Sequence, residues 1–178
     1  AINAEHPQAL IKPEAAGRWE KEKIKLRHDA DPDGQVVLVG MGNKARRQFG
    51  YRKTEWEANM LKRIIAEYPN RRIIYRPKAG ATESIGCKAD SLSTIDKVIQ
   101  GASLVVVHHS NVAIDACIAG IPVVCENGAA AALYKGDLCR PTTPTTQERL
   151  EFMRSLAWWQ WRQEEATLCW NFIRTHSG

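Results

Sequence analysis

The chain has 178 residues, 44% hydrophobic and 25% charged, which places it in the range of one ordinary folded domain and outside the fibrous and disordered classes. No run reaches the roughly 18 to 20 apolar residues of a membrane helix, because the most apolar region, Ala102 to Cys125, is broken by His108, His109, Asn111 and Asp115. The net charge of +5 is uneven: residues 44–78 carry 11 Lys/Arg against 3 Asp/Glu, which points either to an anionic ligand or to a solvated basic face.

The amino end has no apolar h-region, and no N-x-S/T acceptor occurs. Five cysteines (87, 117, 125, 139 and 169), odd in number and without a CxxC, argue against a disulfide framework and a structural zinc site, so a reducing, cytoplasmic setting is expected. The first residue, Ala1, fits either loss of an initiator Met or a piece of a longer chain.

Taken in order, residues 1–35 read as an amino-terminal arm. Val36 to Val39, between Asp31-Pro-Asp-Gly34 and Gly40-Met-Gly42, reads as a buried strand. Thr54 and Glu57 form a capping-box pattern ahead of a helix carrying Trp56, Met60, Leu61, Ile64, Ile65 and Tyr68 at helical spacing. Residues 72–75 make a second strand stopped by Pro77. Ser93 with Asp96 caps a short helix ending near Gly101, and residues 103–107 form a third strand. Asn111 to Ala119 form a helix closed by Gly120, and residues 122–125 start a fourth strand. This alternation predicts an α/β, doubly wound parallel sheet over residues 36–140. PTTPTT (141–146) reads as a rigid connector to a single helical tail over 146–176 that packs on the sheet domain and carries Trp158, Trp159, Trp161 and Trp170. Successive helical residues lie about 100° apart, so those four rings need cover on more than one face, from the amino-terminal arm around Trp19 to Leu26 or from a second molecule; a homodimer or a missing partner domain is the expectation.

Gly40-Met-Gly-Asn-Lys-Ala45 satisfies G-x-G-x-x-A directly after a strand, the pattern of a dinucleotide loop. Two features argue against a nicotinamide or flavin: a helix starting at Thr54 leaves a loop of about 14 residues, and Tyr75-Arg76-Pro77-Lys78 supplies no ribose-binding acid. The loop is basic (Lys44, Arg46, Arg47, Arg52, Lys53) and suits another phosphate-bearing ligand. His108-His-Ser-Asn111 lies between the carboxyl end of the most apolar strand and a helix amino terminus, where backbone N–H groups and the helix dipole favour phosphate. The bland alternative is that Ser110 or Asn111 only caps the helix. Adjacent histidines on a strand face opposite ways, so joint metal ligation is not expected.

Asp115-Ala-Cys-Ile-Ala-Gly-Ile-Pro-Val-Val124 resembles the E-A-x-A-x-G-x-P-V-V signature of the donor-binding, carboxyl-terminal half of GT-B-fold glycosyltransferases, an architecture shared by UDP-sugar 2-epimerases. The similarity spans about Val36 to Leu133 and is nearest to small phage-encoded glycosyltransferase-like proteins and capsule-type sugar transferases. It implies a Rossmann-like, nucleotide-sugar-binding domain. Asp115 would hydrogen-bond the nucleotide ribose. Arg76, Lys78 and the N–H groups at Ser110 and Asn111 would approach the donor diphosphate, and Gly40 and Gly42 would admit it closely. Asn43, Lys44, Arg47 and His108 complete the candidate phosphate and nucleotide set. The earlier Glu of the family's E-x7-E arrangement falls at Val107, which departs from the retaining subclass.

Such transfer needs its leaving diphosphate neutralised, and Lys44, Arg46, Arg47, Arg76 and Lys78 supply that without metal; no D-x-D motif is present, and no cofactor is called for beyond the donor substrate. His109 is the candidate general base. Residues 1–35 are too few for a second Rossmann domain, so the chain is a fragment, or a partner supplies the acceptor side, or the fold serves another task. The alternative function is a noncatalytic or DNA-directed module: phage relatives modify DNA bases, and Phe49, Tyr51 and Trp56 interleave with the basic band as in a surface that tracks phosphates and stacks bases.

Overall fold

The computed structural model describes residues 16–78, 84–158 and 160–176. Trp159 and the first 15 residues of the predicted arm lie outside them. The chain divides into two compact units, Lys25–Arg149, and Ala1–Ile24 together with Leu150–Gly178.

The larger unit is the predicted α/β domain. Five parallel strands, β1 (Gln35–Val39), β2 (Ile73–Arg76), β3 (Lys88–Ala89), β4 (Ala102–Val107) and β5 (Val123–Cys125), pair in the order β3-β2-β1-β4-β5. The four predicted strands are present with ends shifted by a residue, and β3 is an addition that its two-residue length hides from any periodicity reading. The central strands are buried on both faces, as parallel strands between helices must be, and they read as unbroken apolar runs for that reason. On one face Val36, Leu38, Tyr75, Leu104, Val106 and Val124 form a core with Trp56, Met60, Leu61 and Ile64 of α3 (Glu55–Glu67). Against β4 and β5 packs α5 (Val112–Ala119), where the small side chains of Ala113, Ala116 and Cys117 let helix and sheet approach closely.

Three local expectations fail for instructive reasons. The 40–53 segment is not an open loop: α2 (Asn43–Gln48) starts directly after Gly42. No capping box forms at Thr54, which adopts a left-handed conformation (φ 61°) and makes no side-chain cap, because Glu57 is wholly buried in an ion pair described below. Likewise α4 (Ile95–Ile99) has no side-chain cap from Ser93; instead the Asp90 carboxylate accepts the Leu92 and Ser93 N–H groups.

The carboxyl end of α5 is fully tied. Gly120 closes it in the left-handed region (φ 76°), and a Cβ there would stand 2.5 Å from the Arg27 carbonyl. The carbonyls of Ile118 and Ala119 accept the Arg27 and Asp29 N–H groups, and buried Arg149 Nη1 donates to the Cys117 and Arg27 carbonyls at 2.8 and 3.1 Å.

In the smaller unit the predicted single tail helix is broken. The helix α6 (Thr146–Trp158), which begins at the end of the larger unit, stops before Trp161, and a 3-10 turn at Gln163–Glu165 leads into α7 (Ala166–His176). The break lets Phe172 meet Trp158 at 4.5 Å between ring centroids, with Trp161 5.4 Å from Trp158. In α1 (Ala16–Lys21), the Arg18 guanidinium lies 4.3 Å from the Trp161 ring and pairs with Glu165 at 2.7 Å. Trp19, Phe152 and Met153 are buried, whereas Leu168 and Trp170 stand exposed. None of the described helices is long and apolar enough to cross a membrane.

Candidate functional site

The strand order fixes where a ligand can sit. From β1 the chain winds outward to β2 and β3, then returns to the other side of β1 for β4 and β5. The reversal falls between β1 and β4, and in open α/β sheets ligands occupy the crevice at the carboxyl ends of those two strands. Residues 40–42 and 108–111 leave the sheet there, with Arg76 and Lys78 one strand over at the end of β2.

A buried carboxylate sets the β1 loop. Glu57 Oε1 accepts the Met41 N–H at 2.8 Å and Arg46 Nη2 at 2.6 Å, while Asn43 Oδ1 accepts Arg46 Nη1 at 3.2 Å. Both partners are almost completely buried, and Glu57 Oε2 and Arg46 Nε have no hydrogen-bond partner among the described residues. Removing either member would strand the other as an uncompensated buried charge, so the pair fixes loop, α2 and α3 as one piece. Arg46 therefore leaves the set of cations proposed for the diphosphate: its charge is spent on Glu57. Lys44, Arg47 and Asn43 lie exposed on α2.

Gly40 and Gly42 differ in what their missing side chains admit. A Cβ on Gly40 would stand 2.6 Å from the Tyr75 hydroxyl, so that glycine serves internal packing. At Gly42 the nearest atom to such a Cβ is Lys78 Cγ, at 3.8 Å, which places the Lys78 stem alongside the loop. Arg76 Nη1 donates to the Asp90 carbonyl at 2.8 Å. Hydrogen bonds from Ser93, and then the Arg76 charge, hold the Asp90 carboxyl below its usual range.

At the end of β4 the prediction that His108 and His109 face opposite ways is overturned. The strand ends at Val107, so its alternation no longer applies, and the two Nδ1 atoms meet at 3.1 Å, one ring donating and the other accepting. His108 is buried among Phe49, Tyr51 and Trp56, with ring centroids at 4.5, 5.8 and 5.6 Å. Burial lowers its pKa, and the nearby Glu126 opposes that shift only in part. His109 also packs on Phe49, at 5.7 Å, and Gly128 lies close against its backbone. The rings that were candidates for base stacking are thus turned inward on His108. No group of three or more His, Cys, Asp or Glu able to hold a metal occurs among the described residues.

Ser110 Oγ accepts the Val112 N–H at 3.3 Å, a role the bland reading anticipated, but the backbone N–H groups of Ser110 and Asn111 themselves have no partner among the described residues. Asp115 is half-buried in the first turn of α5; burial, and then the charge of Asp96, raise its carboxyl pKa.

Sequence reasoning gave Glu126 no role. It directly follows β5, and its Oε2 accepts the Trp56 indole N–H at 2.9 Å and lies 3.8 Å from His108 Nε2, while Oε1 lies 3.9 Å from Arg63 Nη1. Glu126, Trp56 and Arg63, with Tyr51, Asn59 and Met60, line a shallow cleft of about 140 Å³. The available signal was position alone: an acid immediately after a buried strand, at the sheet edge where ligands bind.

No family model matches the chain, and no curated protein matches it. Among solved structures it is similar to the β-Kdo 2,7 transferase of Thermosulfurimonas dismutans KpsC, with 23% identity and a TM-score of 0.50 over 78% of this chain and 49% of that one. It is also similar to the β-Kdo 2,4 transferase of the same KpsC, with 14% identity and a TM-score of 0.48 over 85% and 56%. The chain spans about half the length of these transferases. At such identity the first likeness shows the fold: a parallel, Rossmann-like α/β sheet domain of the kind found in a glycosyltransferase.

Proposed function

We propose that the Lys25–Arg149 domain binds a nucleotide-sugar and takes part in transferring the sugar to an acceptor. The observation that carries this reading is the convergence at the β1–β4 reversal: the Gly42 loop with Lys78 laid beside it, and, one strand away, the unpartnered N–H groups of Ser110 and Asn111 at the start of α5. In this reading the two N–H groups and the α5 dipole receive a phosphate oxygen. Lys78, Lys44 and Arg47 offset the charge that builds on the departing diphosphate, a purely electrostatic contribution from groups already in place. Asp115 would accept a ribose hydroxyl; a raised pKa suits a carboxyl that is short of donors until ligand arrives. His109, beside buried His108 and against Phe49, is proposed as the group that accepts the acceptor's proton.

The test is a thermal-shift screen against UDP-, GDP-, CMP- and dTDP-sugars. A true donor at 100 times its Kd adds about 2.7 kcal/mol of stability, and Lys78→Ala, by weakening binding about tenfold, cuts that gain to about 1.4 kcal/mol without altering the melt of the protein alone. Stabilisation by none of the four classes would overturn the reading. Steeply salt-dependent binding of labelled duplex, with no response to nucleotide-sugars, would favour a DNA-directed module instead.

A further inference from the structure

At the carboxyl edge of the sheet a carboxylate and two imidazoles stand in line. Glu126 Oε2, held by the Trp56 indole N–H at 2.9 Å, lies 3.8 Å from His108 Nε2, and the other nitrogen of that ring, Nδ1, meets His109 Nδ1 at 3.1 Å. Backbone contacts strap the same residues together. The Glu126 and Asn127 N–H groups donate to the Val107 and His108 carbonyls at 3.3 and 2.6 Å, and Gly128 lies close against the His109 backbone. His108 is buried, whereas His109 is partly exposed.

The contact between the two Nδ1 atoms takes one proton, so the neutral rings have two arrangements. In one, His108 is protonated on Nδ1 and turns a lone pair on Nε2 toward Glu126. In the other, His108 is protonated on Nε2, facing the carboxylate, and its Nδ1 accepts from His109 Nδ1–H. A separation of 3.8 Å is too long for a hydrogen bond, but in a buried site, with weak screening, a carboxylate favours an N–H over a lone pair aimed at it. Arg63 meets the other carboxylate oxygen, Oε1, at 3.9 Å. Burial lowers the pKa of His108 and keeps the ring neutral near pH 7, so its tautomer, not its charge, carries the influence of Glu126 onward. We propose that Glu126 and His108 are positioning residues that hold His109 in its Nδ1–H form, leaving Nε2 with the lone pair a general base needs. The assignment rests on the reading above in which His109 accepts the acceptor's proton. As Nε2 takes that hydroxyl proton, the oxygen's electron pair forms the bond to the anomeric carbon, and the pair of the old bond to phosphate oxygen leaves with the nucleotide. The imidazolium so formed keeps its Nδ1–H on His108, whose ring is backed by the Glu126 charge. The opposite tautomer would make His109 Nε2–H a donor to phosphate and no base.

Imidazole ¹⁵N shifts report the tautomer directly. In long-range ¹H–¹⁵N spectra of the full chain at pH 8, above the ordinary imidazole range, the His109 signals are identified by their loss in His109→Gln. They are expected to show a protonated Nδ1 and a bare Nε2, with His108 the reverse. Glu126→Gln keeps an oxygen for the Trp56 indole and offers His108 an amide N–H in place of the charge, so both rings are expected to invert or become mixed. Glu126→Ala, which removes the carboxylate without adding a donor, is expected to leave them mixed and serves should Glu126→Gln not fold. A bare Nδ1 on His109 in the parent overturns the proposal, as does a parent pattern that persists in the Glu126 variants. No ligand enters these spectra, so a wrong tautomer is distinguishable from failure of the donor reading, which shows as absence of nucleotide-sugar stabilisation in the parent.

Discussion

The two ends of α5 are opposites. At the carboxyl end the last carbonyls are taken by the Arg27 and Asp29 N–H groups and by Arg149, and even the space beside Gly120 is filled by the Arg27 carbonyl. At the amino end the N–H groups of Ser110 and Asn111 lack partners among the described residues, and the first-turn acid, Asp115, sits half-buried with its pKa raised. Both ends belong to one eight-residue helix packed on the same two strands, so packing cannot account for the difference. Saturation of polar groups marks the end that holds the fold; the other end has the free N–H groups that the proposed phosphate contact would use.

The largest expected effect breaks the saturated end. Arg149→Met leaves the Cys117 carbonyl without its buried donor and should cost about 2 to 3 kcal/mol in urea unfolding; a loss under about 1 kcal/mol would mean that end is not structural. At the open end the pattern reverses. Lys78→Ala and Arg47→Ala should each leave stability within about 0.5 kcal/mol of the parent yet weaken nucleotide-sugar binding roughly tenfold, measured by calorimetric titration. Equal losses of stability and binding would erase the contrast.

Protonation sharpens it next. The folded-state pKa of His108 lies below the unfolded value near 6.5, so at acidic pH the unfolded chain binds the extra proton and the native state does not. Stability is then complete above about pH 6.5 and falls as the pH drops toward the folded-state value. Melting followed from pH 7.5 to 5 should show that decline, and His108→Asn should flatten it. Asp115 has the other sign. Its raised pKa means the native state resists ionisation, so stability is lost as pH rises through the folded-state value, and Asp115→Asn should gain a little at pH 7, less than about 1 kcal/mol by differential melting. A destabilised Asp115→Asn would place that carboxylate with the structural end of the helix.

What the sequence made legible follows from the range of each interaction. Val36–Val39, Leu104–Val107 and Val123–Cys125 announce themselves because burial on both faces demands apolar residues at every position, and Gly120 marks a helix stop because few other residues reach its conformation. Glu57 was misread because a capping box and a buried ion pair look alike in a string: the local partner is three residues away, the actual ones are Met41 and Arg46, sixteen and eleven residues away. His108 and His109 were misread because the strand rule was carried one residue past the strand. Glu126 escaped because its partners, Trp56 and Arg63, approach across the sheet from α3, and one sequence carries no record of such encounters.

The outer strands bear on how this domain behaves in a crowded solution. A parallel sheet of five strands has two rims, each of which could recruit a foreign strand through its unsatisfied backbone. Here one rim is only Lys88 and Ala89, both exposed, too short to template a ladder and carrying a charge that must be desolvated by any newcomer. The other, β5, has three residues and is already met by Thr142 in an antiparallel bridge to Val123. Neither rim offers a long unpaired edge along which another strand could extend the sheet.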